Sequence, residues 1–93
     1  MKSKFFIAKN KGFQMTFENG NTISVMFGAG NYCSNRKEST STEIESSHDA
    51  EICIWNEKNE DYIFKNDGGG ICNGWCSTDD VAKWVDFASK TVF

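Results

Sequence analysis

The side chains best suited to chemistry in this chain are its four cysteines, Cys33, Cys53, Cys72 and Cys76, and its single histidine, His48. Cys72 and Cys76 are spaced C-x3-C, within the range that zinc ligands use, and Cys33 and His48 would complete a four-ligand set. Two of those ligands must arrive from loops, which makes the constellation weak. Cys53 stands between Ile52 and Ile54, where a thiol reads as a small core hydrophobe. No C-x-x-C opens a helix in a βαβ pattern, so thioredoxin-like redox chemistry has no signature here. Free thiols are the expectation, with no metal and no cofactor. Cys76 lies just before a helix start, where the dipole lowers a thiol's pKa, and His48 could serve it as a base. A lone histidine in a Ser-rich stretch is a poor base, and packing of Cys76 under the helix outweighs a nucleophilic role. The chain reads as non-enzymatic.

Gly28-Ala29-Gly30-Asn31 could turn successive backbone N–H groups onto an anion, with Arg36 near enough in sequence to assist. It is not a Walker loop, because no Gly-Lys-Ser/Thr follows, and it lacks the third glycine and the helix of a dinucleotide fingerprint. A turn that merely leaves a strand explains the same glycines. Tyr32 and Trp75 could stack on a base or on a partner's side chain. Trp75 follows Gly74 outside any regular pattern, so it is the stronger candidate for an exposed anchor. Trp55 and Trp84 fall on patterned faces and read as core.

These residues must be positioned by a small α+β domain. Phe13, Met15 and Phe17 alternate with polar residues, as do Ile23, Val25 and Phe27. A two-residue Asn-Gly turn would set those groups on opposite faces. A three-residue loop, Glu18-Asn19-Gly20 with Gly20 left-handed, pairs Met15 with Ile23 and Phe13 with Val25 on one face. Residues 4–8 form a strand before this hairpin. A second hairpin is expected from Ala50 to Phe64, around a polar loop that holds Glu57, Glu60 and Asp61, and residues 66–70 make a glycine-rich break. Ser77 caps a final helix, Asp80 completes its capping box, and Cys76 and Val81 supply the apolar staple. Val81, Trp84, Val85 and Ala88 share one helical face. The expected architecture is an antiparallel sheet of four to five strands, in two hairpins, with one C-terminal helix packed on it. Residues 1–93 form a single domain with a Ser/Thr/Glu-rich loop at 37–49.

Composition narrows the function classes. With 39% hydrophobic and 25% charged residues, the 93-residue chain is globular and not disordered. A net charge of −3 argues against general nucleic-acid binding. The charge is unevenly spread: residues 1–36 carry five bases and one acid, whereas residues 37–61 carry two bases and eight acids. A basic face beside an acidic one suits a protein partner or a small anion. No apolar run approaches the ~20 residues of a membrane span, and the apolar stretch at 5–8 is shorter than the ~7–15 of a signal peptide. A cytoplasmic protein is expected.

The run Asn10-Lys11-Gly12-Phe13-Gln14-Met15-Thr16-Phe17, then Asn19-Gly20, Ser24-Val25-Met26-Phe27-Gly28 and Gly30-Asn31-Tyr32-Cys33-Ser34-Asn35, resembles a group of small proteins encoded by bacteriophages and prophages. Asp49-Ala50-Glu51-Ile52, Gly74-Trp75-Cys76-Ser77 and Asp79-Asp80-Val81 extend the resemblance over most of the chain, while residues 66–72 depart from it by their extra glycines. The resemblance implies a phage setting in an infected bacterial host and no particular mechanism. Phage accessory proteins of this size are often inhibitors of host defence or host machinery, an association with the setting and not with a site. Two binding readings follow. One is an anti-CRISPR-like inhibitor that occludes a host protein, with Trp75 as anchor and Glu57, Glu60 and Asp61 as an acidic surface. The alternative is a sponge for a nucleotide immune signal, using Gly28, Gly30, Asn31 and Arg36 on phosphate and Tyr32 or Trp75 on the base. Self-association into a homodimer is a further expectation for so small a domain, and a membrane partner is not expected.

Overall fold

The computed structural model describes residues 3–8, 11–28, 33, 46–56, 61–62 (backbone only) and 72–92. Six strands and one helix follow in chain order: β1 (Lys4–Ala8), β2 (Gly12–Thr16), β3 (Asn21–Met26), β4 (Ala50–Asn56), β5 (Asp61–Tyr62), β6 (Cys72–Cys76) and α1 (Thr78–Lys90). β1 to β4 pair in sequence order, all antiparallel, and β5 and β6 both pair with β4. β3 takes one side of β4, so β5 and β6 share the other. The fold is α+β, an antiparallel sheet with one C-terminal helix packed on it. Five strands have ordinary length, and β5 is described over two residues.

The first hairpin follows its alternation. Met15 pairs with Ile23 and Phe13 with Val25. The Gly20 amide donates to Phe17 O at 3.0 Å, and Gly20 adopts φ +91, so the three-residue loop forms with its left-handed glycine. A side chain at Gly20 would also approach Asn56 Nδ2 to 3.2 Å.

The core lies between the helix-side face of the sheet and α1. Ile23, Val25, Ala50, Ile52, Ile54, Cys76 and Ala88 are buried there, with Val81, Trp84, Val85 and Phe87 packed around them. Ser77 Oγ accepts from the Asp80 amide at 3.1 Å while Asp80 Oδ2 accepts from the Ser77 amide at 3.2 Å, which closes the capping box. At the other helix end the carbonyls of Ala88 and Thr91 are answered from the sheet. Asn21 Nδ2 donates to both, at 2.8 and 2.7 Å, and Asn19 Nδ2 donates to the same pair at 3.0 and 3.1 Å. Asn56 Nδ2 donates to Asn21 Oδ1 at 2.9 Å. The orphan carbonyls of the last helical turn thus pin α1 to the first hairpin.

Three expectations are corrected. Residues 72–76 form a strand that no alternation announced; Asn73 and Gly74 are poor strand formers, and pairing with β4 holds them extended. Trp55 and Cys53 lie on the face opposite the core, because Ala50, Ile52 and Ile54 take the helix side of β4 and parity sends their neighbours away. Cys53 and Cys72 are not free thiols. They stand opposite each other across β4 and β6 with Cα atoms 4.4 Å apart and are joined by a disulfide. Disulfides persist in oxidising compartments, so free thiols no longer support a cytoplasmic location. Among the described residues no helix is long and apolar enough to cross a membrane.

Candidate functional site

The bonded pair sits at the start of an irregular strand. From Cys53 opposite Cys72 and Ile52 opposite Asn73 the register jumps to Ala50 opposite Cys76, so Gly74 and Trp75 together face the single residue Glu51. This β-bulge changes the parity of β6. Without the extra residue Cys76 would point to the disulfide face. With it Cys76 enters the core, 3% exposed, and Ser77 begins the helix above it. Trp75 carries the distortion. Its φ is +50, a conformation that costs an L side chain about 1–2 kcal/mol. Among the described residues no other non-glycine has positive φ. The indole is 55% exposed.

Next to the bulge, between the end of the sheet and the start of α1, is a recess of about 250 Å³ lined in part by Phe13, Phe27, His48, Asp49, Cys76 and Val81. It brings Cys76 and His48 to one place, as a thiol nucleophile with its base would require. The thiol itself is set the other way. Burial, then the negative charges of Asp80 and Asp49, push its pKa up. Its Sγ donates to the Asn73 and Gly74 carbonyls at 3.5 and 3.8 Å. The lowering expected from the helix dipole is outweighed, and Cys76 stays a protonated packing group.

Of the other residues expected to bind, the described part of the chain includes Gly28 and the backbone of Asp61. Gly28 follows β3 with φ +80, and Cys33 donates from Sγ to its carbonyl at 3.9 Å. Gly30, Asn31, Tyr32, Arg36, Glu57 and Glu60 lie outside the described residues, as does the side chain of Asp61, whose backbone pairs with Asn56. Cys72 spends its sulfur in the disulfide, which removes it from the set with Cys33, Cys76 and His48. Among the described residues no three His, Cys, Asp or Glu side chains converge as metal ligands.

Two features were missed in the sequence. Phe5, Phe6 and Ile7 of β1 are 70%, 57% and 80% exposed, and among the described residues β1 pairs on one side only, with β2. Their signal is the unbroken apolar run itself, since a strand packed on one face alternates. The asparagine network left no periodic trace. The chain matches no family model, no curated protein and no solved structure.

Proposed function

We propose that this chain is a non-enzymatic binding protein that engages the surface of another protein at the β6 edge of its sheet, with Trp75 as the anchor. The observation that carries the reading is Trp75, held at φ +50 in a bulge with more than half of its indole in solvent. Strain of this kind is retained where the surrounding structure or a function repays it. A bulge alone would bring Cys76 into the core with glycine at both extra positions, so the parity shift does not need an indole. Tryptophan is the side chain most enriched among residues that dominate binding energy, because one rigid group offers a large apolar area and a donor. The raised pKa of Cys76 supports a non-catalytic role. The finer reading, a phage accessory protein that blocks a host defence or machinery protein, is supported by the resemblance in sequence and by the uneven charge.

The test is co-purification from the bacterial host with the wild-type chain and with Trp75→Ala. One protein retained in stoichiometric amount by the wild type, and retained about 30-fold more weakly by a folded Trp75→Ala, supports the reading. Equal retention by both, or no retention at low salt, defeats it.

A further inference from the structure

We infer that β1 is a self-pairing edge: two copies of this chain join antiparallel, β1 to β1, about a two-fold axis through Phe6. β1 shows no sign of being finished as an outer strand. Natural sheets blunt their edges with charges, proline or bulges. Here the middle of the strand is Phe5-Phe6-Ile7 and its one charge, Lys4, stands at an end.

The faces of β1 are unequally served by the rest of the fold. Phe5 pairs with Met15 and Ile7 with Phe13, so both stand on the face that α1 covers further along the sheet. The helix backbone lies against β3, β4 and β6 and reaches neither β1 nor β2. The core face therefore runs out from under the helix and ends on two exposed apolar side chains. Adding a strand beside β1 would continue that face.

A second copy fits the edge better than an arbitrary strand because the sequence is self-complementary about Phe6. In that antiparallel register Phe5 faces Ile7 of the other copy twice, on the helix side, and Phe6 faces Phe6 on the other side. Lys4 faces Ala8, so no cation meets a cation, a pairing that would be unfavourable. Moving the axis to Phe5 would set Lys4 against Phe6.

The contact is small. Phe5, Phe6 and Ile7 at their observed exposure offer on the order of 400 Å² per copy, taking roughly 200 Å² for a full side chain. That is about half of the ~800 Å² per partner of a standard interface. A contact of that size suits a weak, reversible dimer, with a midpoint on the order of tens of micromolar. It places the two β6 edges at the far ends of one continuous sheet, so each dimer carries two Trp75 anchors facing outward.

Sedimentation equilibrium of the full chain, from about 1 to about 300 µM, reads the association directly. The mass is expected to rise from one copy toward two across that range. Phe6→Lys sets like charges opposite each other at the axis and should remain a single copy throughout. An equimolar mixture of Phe6→Lys and Phe6→Glu should recover the pair, because Lys then faces Glu. A wild type that stays single at the highest concentration overturns the proposal, as does undiminished association of Phe6→Lys. Failure of the mixture to recover the pair overturns the register. Trp75→Ala is the control: it should leave the mass curve unchanged, which separates this edge from the one proposed for the partner.

Discussion

The two ends of the helix and the two edges of the sheet are built to different standards. At the helix C-terminus the Ala88 and Thr91 carbonyls are answered by Asn19 and Asn21, and Asn56 in turn holds Asn21. At the N-terminus a capping box closes the first turn. No buried side-chain nitrogen or oxygen among the described residues lacks a partner. The edges differ. β1 leaves three consecutive large apolar side chains in solvent, and β6 holds a tryptophan in a strained backbone with its ring exposed. The residues that satisfy the interior and those left costly at the edges are different, which is the contrast on which the proposed contacts rest.

That contrast can be broken, and the largest effect should come from the disulfide. It closes a loop with a sequence separation of 19 between the strand that centres the sheet and the strand that starts the helix. Reduction, or the double change Cys53→Ala with Cys72→Ala, should cost about 3 kcal/mol by loop entropy. For a domain of this size that lowers Tm by about 15 °C. A melting curve indifferent to reductant would show that the bond contributes nothing to the fold.

The next effect belongs to the asparagine network. Asn21→Ala strips the Ala88 and Thr91 carbonyls of one donor each and removes the buried Asn21 Oδ1 that accepts from Asn56 Nδ2. A loss of about 2–3 kcal/mol in urea unfolding is expected. Asn19→Ala, at a half-buried position that duplicates the same donors, should cost less than half as much. Equal losses would mean that the two amides do not share the helix end as described.

The edges should respond in the opposite way. Phe6→Lys should cost about 1 kcal/mol, less than the network or the disulfide, since Phe6 is 57% exposed and only the rest of it is buried by the fold. At position 75 the comparison that matters is glycine against alanine. Both lose the indole, but only alanine keeps the strain, so Trp75→Gly should be more stable than Trp75→Ala by about 1 kcal/mol.

The smallest effect is the pH dependence from Cys76. Its pKa is raised in the folded chain, so folding favours the neutral thiol. That contribution is complete below the ordinary thiol value of about 8.5 and fades as pH rises through the folded value. Denaturant midpoints at neutral and alkaline pH should therefore separate more for the wild type than for Cys76→Ala. An equal separation would mean that the thiol is not desolvated as its burial indicates.

Much of the fold was legible because local pattern and tertiary structure agree in it. The first hairpin has two alternating runs and a glycine at the one loop position that needs positive φ, and the helix start combines Ser77, Asp80 and an apolar staple. Legibility failed where non-local pairing overrode the local signal. Residues 72–76 become a strand through β4 and the disulfide, neither of which is visible in Cys-Asn-Gly-Trp-Cys. Cys53 and Trp55 looked internal because of their isoleucine neighbours, yet strand parity turns them to the other face. The candidate site was legible at Trp75, whose isolation from any pattern is itself the mark of the bulge. At Phe5 to Ile7 the unbroken apolar run was a signal that a second surface needs cover, but not of which side of the strand is left uncovered.

The most direct test of the proposed division between folding and contact is retention by Trp75→Gly of a protein that the wild type captures, measured beside the wild type on protein shown to be folded with its disulfide intact. The account predicts retention weakened about 30-fold on a chain that still melts cooperatively. Retention equal to that of the wild type would contradict it and make Trp75 a covering residue of the sheet.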